Sequence, residues 1–298
     1  MISRKLKDLV ISRLMLSIAI LSSLIVFIMA FTLFFKSVPI LSTHSLSELL
    51  VSSSWHPWQG EFGFYPFIMG TIWVTLLAMA LSIPLSILMS IYLAEYAPSK
   101  IRGIIKPMID LLAGIPSVVF GLWGVLLIVP LLRDYIAPIA GVTTTGYSVL
   151  AGGIVLAIMV FPIIISVSEE VIRAVPKEVR EASLALGATK WQTTKHVVLR
   201  SSFNGIIAAI ILGFGRAFGE TMAVLMVVGN VPLAPSSLFD PGYPLPALIA
   251  NNYGEMMSIP LYDSALMLAA LILLLTVALF SVLAAVVLMR IKKRYAIG

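Results

Sequence analysis

The sequence predicts an all-α, polytopic membrane protein with six transmembrane helices. Two observations carry this: six largely uncharged runs of spanning length, and basic residues confined to alternate connections between them. Composition agrees. Of the 298 residues, 60% are hydrophobic and 11% charged, with a mean hydropathy of +1.05. A water-soluble domain carries about 25% charged residues, so lipid is the solvent that suits this surface. There is no cysteine, which excludes disulfides, thiolate metal sites and cysteine nucleophiles. His44, His56 and His196 form no metal-ligand spacing, so neither a metal nor a cofactor is expected.

A spanning helix needs about 20 mostly apolar residues. The first run is Leu14–Phe35, and its length favours an uncleaved anchor over a signal peptide. The second lies within Tyr65–Leu93 and contains Pro84. The third is Leu111–Leu132, the fourth Tyr147–Val167, the fifth Gly205–Val228 with two charges inside it, and the sixth Ser264–Met289. Six spans put both termini on one side.

Charge then sets the orientation. Seventeen of the 20 Lys and Arg lie at the N-terminus, in the 2–3 and 4–5 connections and at the C-terminus, whereas the opposite side has only Lys36 and Arg133. Positive residues stay inside, so the chain is expected in the cytoplasmic (inner) membrane with both termini cytoplasmic. The net charge of +6 is thereby a topology signal, and no nucleic-acid partner is implied. The outer segments 36–64 and 229–263, rich in Ser, Pro, Gly, Trp and Tyr, admit two readings, a receptor-facing surface or solvated loops with interfacial aromatics.

The 4–5 connection, residues 168–204, is more than a tether. Pro176 suits a first helical position, Glu178 complements the positive helix end, and Gly187 is placed as a stop. Val179, Ala182, Ser183 and Leu186 form a weakly apolar stripe between them. Thr189 with Gln192 reads as a capping box opening a second short helix through about Leu199. An interfacial helix pair on anionic lipid and a protein-docking knob both fit this segment.

Span five carries Arg216 near its middle. An intramembrane charge costs about 2.5–3.5 kcal/mol on insertion scales. Glu220 falls at i+4 on the same helix face, so the pair is expected to neutralise itself in part. Gly215 and Gly219, with Gly213, allow close helix approach. The pair reads either as a structural clamp or as an anion pathway, and the pathway is favoured because an ionisable residue inside a span is functional by default. In span three, Gly114, Pro116 and Ser117 mark a break, used for packing or as a gate.

Three elements together carry a resemblance. Residues 112–121 (LAGIPSVVFG), 215–230 (GRAFGETMAVLMVVGN) and 181–199, where Glu181-Ala182-Ser183 is followed by Gly187 and then Val197-Val198-Leu199, resemble the PstC-type permease of phosphate ABC importers. The last element is similar to the "EAA" loop of such permeases, departing from it at Ser183, Val197 and Arg200. Residues 70–98 are also similar, and the likeness covers most of 65–290. It implies a type I ABC-importer permease architecture, with 1–64 as N-terminal segment, first helix and outer loop, 65–290 as permease core with its coupling loop at 168–204, and 291–298 as a basic tail. It also implies a non-catalytic subunit of a heterodimer with a PstA-like permease. Two copies of a PstB-like ATPase, a PstS-like phosphate-binding protein outside, and inorganic phosphate as cargo complete the assembly. By resemblance Arg216, Glu220 and Thr221 lie on the substrate pathway, and Glu181, Ala182, Ser183 and Gly187 couple to the ATPase.

The residues alone support only an anion, so sulfate or molybdate remains an alternative, as does a channel or secondary transporter needing no ATP. An intramembrane enzyme is disfavoured because no HExxH, nucleophile elbow or coherent Ser/His/Asp set occurs. Gly187-Ala188-Thr189-Lys190 is not a P-loop.

Overall fold

The computed structural model describes residues 4–255 and 258–296, and the side chains of 8–255 and 258–287. The basic side chains of Arg4, Lys5, Lys7 and the C-terminal tail, with residues 297–298, lie outside that range. Among the described residues, six helices are long and apolar enough to cross a membrane: Asp8–Thr43, Tyr65–Tyr96, Ser117–Ile139, Val149–Arg173, Lys190–Gly219 and Tyr262–Val287. They are called spans one to six below.

Span four is the post around which the others assemble, with 67% of its apolar stretch buried. Val74, Ala78 and Met79 of span two pack against Val149, Leu156, Val160 and Ile164 of span four, and Ile206, Ile210 and Ala217 of span five close the same core. The contact between spans two and four is tight because Gly153 has no side chain. A Cβ there would stand 2.8 Å from Leu77 Cγ. Span three packs on a second cluster through Phe120, Ile128 and Val129. Spans one and six pair at the edge, and none of span one's apolar stretch is buried within the chain.

The segment between spans one and two folds onto the bundle. Leu46–Val51 is helical, and Trp55–His56 pairs antiparallel with Glu61–Phe62. The Trp55 indole contacts the rings of Phe62, Phe64, Phe67 and Tyr262, which ties this hairpin to spans two and six.

Two expected spans change their limits. Span three begins at Ser117, not Leu111, because residues Ser99–Gly114 form a separate amphipathic helix. A proline disfavours helical backbone in the residue before it, and Ile115 is extended at φ −70°, ψ 130°. Leu111 and Leu112 thus belong to the preceding helix, as does Asp110. Span five ends at Gly219 instead of running to Val228. At the other end it starts at Lys190, so the short helix expected after Thr189 is the first turns of span five itself.

Candidate functional site: a broken span and a polar-anchored loop helix

Span five stops where Glu220 turns extended (φ −73°, ψ 123°), and after Thr221 the chain resumes as a short helix, Met222–Val227. The hydroxyl of Thr221 donates to the Gly219 carbonyl at 3.3 Å, one of the groups a helix end leaves unpaired. Arg216 therefore lies in the last helical turn. Its positive charge there faces the negative end of the helix dipole, which is favourable.

The expected Arg216–Glu220 ion pair does not form. The helix ends at Gly219, and no carboxylate among the described residues lies within ion-pair distance of Arg216. Its Nε is buried without a hydrogen-bond partner. Glu220 instead lines a narrow crevice with Thr71 and Thr75 of span two, Ala217, Val224 and Pro244. Beyond the short helix a cavity of about 500 Å³ opens among Thr145, Tyr147, Met226 and Asn230. Asn230 holds a left-handed backbone (φ 53°) and donates its amide to the Leu225 carbonyl at 2.8 Å.

Glycines in span five divide by role. A Cβ at Gly213 would stand 2.8 Å from Ile164 Cδ1, so span four does approach closely there. Gly215 and Gly219 have nothing of this chain within 4 Å of a Cβ. They lie with Ser201, Asn204, Ala208 and Leu212 on a face that this chain leaves exposed.

The connection after span four holds a nine-residue helix, Lys177–Ala185. Gly187 ends it with φ +85°, donating its N–H to Leu184 O at 3.0 Å, while Ala188 N–H reaches Ser183 O at 3.3 Å. This six-to-one, five-to-two pair is a Schellman stop. The capping box expected at Thr189 is present: Thr189 Oγ1 accepts from Gln192 N at 3.2 Å, and Gln192 Oε1 from Thr189 N at 2.8 Å. Glu181 and Ala182 are exposed, Ser183 is half-buried, and Val179, Leu184 and Leu186 present apolar surface. Gly114, Pro116 and Ser117 form the junction between the amphipathic helix and span three, well removed in sequence from this loop.

Three ionic contacts at this end, centred on two carboxylates, escaped sequence reasoning. Glu169, buried in span four, accepts from Lys106 Nζ at 2.9 Å and lies 3.3 Å from Arg173 Nη1. Arg180 pairs with Glu95 at the end of span two. The signal available was each carboxylate's place at the edge of an apolar run, where a charge needs a partner.

Comparison with known proteins agrees with this architecture. Residues 82–295 match the family described as binding-protein-dependent transport system inner membrane component. The chain is 37% identical over 257 residues to a phosphate transport system permease protein PstC of Xylella fastidiosa, covering 82% of this chain and 79% of the relative. It is 38% identical over 238 residues to the probable ABC transporter permease protein YqgH of Bacillus subtilis, covering 79% and 75%. Among solved structures, a bacterial ABC transporter involved in import of the acidic polysaccharide alginate superimposes with a TM-score of 0.58 at 16% identity, over 97% of this chain and 99% of that one. At that identity the match speaks for the fold, six spans with a helical loop before the fifth. The chain belongs to the family of binding-protein-dependent transport system inner membrane components.

Proposed function

We propose that this chain is a permease subunit of an ATP-driven importer that moves inorganic phosphate across the cytoplasmic membrane. The observation that carries the proposal is Arg216, a guanidinium within a spanning helix that finds no carboxylate among the described residues and stands where the helix breaks. A guanidinium presents paired donors that suit an oxyanion. Glu220, set apart on the crevice wall, leaves that charge available while limiting how firmly an anion is held. Thr221 stands at the break between them. Relatives named as phosphate transport permeases support phosphate over other oxyanions.

Energy must come from elsewhere. The turn at Gly187–Lys190 has neither the spacing nor the freedom of a P-loop, and Lys190 lies over the Tyr96 ring, 4.6 Å from its centroid. ATP hydrolysis therefore belongs to a partner ATPase, present in two PstB-like copies, which docks on the loop helix through Glu181, Ala182, Ser183 and the stop at Gly187. A PstA-like second permease covers the exposed small-residue face of span five. A PstS-like binding protein delivers phosphate at the outer side, and the Gly114–Ser117 junction serves as a gate. The basic connections support an orientation with both termini in the cytoplasm.

The test is uptake of radiolabelled phosphate by the reconstituted complex with sulfate as competitor. ATP-dependent uptake that excess sulfate leaves unchanged is the expected outcome. Equal competition by sulfate would make the cargo another oxyanion, and uptake by this chain without the ATPase would make it a channel or secondary transporter.

A further inference from the structure

The loop helix Lys177–Ala185 has no buried residue, so no apolar face anchors it to the bundle. Side chains hold it instead. Arg180 donates from Nε and Nη2 to Glu95 Oε1 at 3.1 and 2.8 Å. Its Nη2 also donates to the Ile172 carbonyl at 2.8 Å, and its Nη1 to the carbonyls of Val175 and Pro176. Those carbonyls lie at and just beyond the C-terminal end of span four, where a helix leaves its acceptors unpaired. The ionic pair is shielded from water, with 18% of the Arg180 side chain and 8% of the Glu95 side chain exposed. Three residues along, Ser183 Oγ lies 2.9 Å from Thr193 Oγ1.

Both contacts land on π-helical turns. Glu95 is in Tyr92–Tyr96, which closes span two, and Thr193 is in Thr193–Val198, within the opening turns of span five. Such turns are rare and concentrate at functional sites. Spans two and five also both line the crevice, through Thr71 and Thr75 and through Ala217 and Phe218, just ahead of Glu220. A force on a helix without apolar anchorage passes through its covalent ends and through these polar contacts. Of the two contacts, the Arg180–Glu95 pair is charge-assisted and desolvated, hence the stiffer.

We infer that Arg180 and Glu95 are the positioning pair that carries displacement of the loop helix into span two, with Ser183 and Thr193 carrying it into span five. The pair serves the transport cycle and not ATPase docking, and the inference rests on the docking proposed above.

The experiment uses the complete complex in proteoliposomes, with the second permease, the ATPase and the binding protein. Variants are Glu95→Gln, Arg180→Gln, the double Glu95→Gln/Arg180→Gln, Glu95→Asp and, as a docking control, Glu181→Lys. Removing one partner leaves a buried charge unpaired, so Glu95→Gln should lower phosphate uptake and binding-protein-stimulated ATP hydrolysis by at least about tenfold. The ATPase should still co-purify. The double variant should lose no more than the worse single, since both report one contact, and Glu95→Asp should recover most of the uptake. Near wild-type uptake in Glu95→Gln, losses that multiply in the double variant, or loss of the ATPase from Glu95→Gln would each overturn the inference. Glu181→Lys separates the two levels: if it keeps both the ATPase and uptake, the docking proposal fails, whatever Glu95 does.

Discussion

Gly187 offers a test in which backbone conformation and groove shape make opposite forecasts. Its φ of +85° is one that L side chains adopt at a cost of about 1–2 kcal/mol. A Cβ there meets nothing of this chain within 4 Å, so within the subunit the penalty is conformational alone. If the loop helix must end in this geometry to dock, strain lowers the competent fraction, and apparent ATPase affinity falls by the same factor. That factor is about five- to thirty-fold for Gly187→Ala and larger for Gly187→Val, whose branched side chain tolerates the left-handed region worst. Asparagine enters that region readily, so Gly187→Asn should stay within about threefold of wild type. The assay is titration of the purified ATPase against the permease pair in lipid nanodiscs without nucleotide. If Gly187→Asn bound as poorly as Gly187→Val while Gly187→Ala bound normally, volume in the partner's groove would be the cause, and the conformational argument would be wrong.

Three further outcomes follow from the geometry. Gly213→Leu should lower the thermal stability of the detergent-solubilised chain, because a Cβ already stands 2.8 Å from Ile164 Cδ1 and 3.2 Å from Val160 Cγ1, and overpacking costs about 1–3 kcal/mol. Gly215→Leu, with open space, should not. In the outer loop, the Ser236 hydroxyl, followed by the backbone N–H groups of Ser237 and Ser236, holds Asp240 below its usual value of 3.8 against the opposing effect of burial. A depressed carboxylate contributes order above its unfolded value and loses it as pH falls through the folded one, so the protection factors of the Ser236 and Ser237 amides, corrected for intrinsic exchange, should fall only below about 3.8 and show no such fall in Asp240→Asn. Arg216→Gln should reduce phosphate uptake at least about tenfold while the complex still assembles, and wild-type uptake by that variant would return Arg216 to a packing role.

What was legible in the sequence is what depends on local pattern. Six spans follow from apolar length and the placement of Lys and Arg. The stop at Gly187 and the capping box at Thr189 each need only residues within one turn of each other, and both are present. The start of span three was misplaced because Leu111 and Leu112 extend the apolar run backwards into an amphipathic helix. The influence of Pro116 on Ile115 was the better boundary signal. The break at Glu220 is different, since no proline marks it. Gly215 and Gly219 weaken the helix, and Glu220 comes to line a crevice with residues from distant parts of the chain, Thr71, Thr75 and Pro244, which no local pattern reveals. Arg180 and Glu95 are 85 residues apart, so no periodicity could have joined them.

The break alters what Arg216 means. A continuous helix would have let Glu220 neutralise it, and the pair would have been self-sufficient. With the helix ended at Gly219, the compensation this chain supplies is the helix dipole, worth about 0.3–1 kcal/mol at an exposed end and about 2 when partly buried. Against this stands an insertion cost of about 2.5–3.5 kcal/mol, and a buried Nε donor left without an acceptor adds to it. Among the described residues no carboxylate recovers the difference. On the pathway proposed above it is recovered when an acceptor arrives from outside, and an oxyanion passing the broken helix brings several. Such an arrangement would favour the occupied state without a carboxylate to displace, with Glu220 on the crevice wall opposing retention. Paired charges would resist both entry and exit; an unpaired one, weakly opposed, suits a route through which cargo must pass and leave.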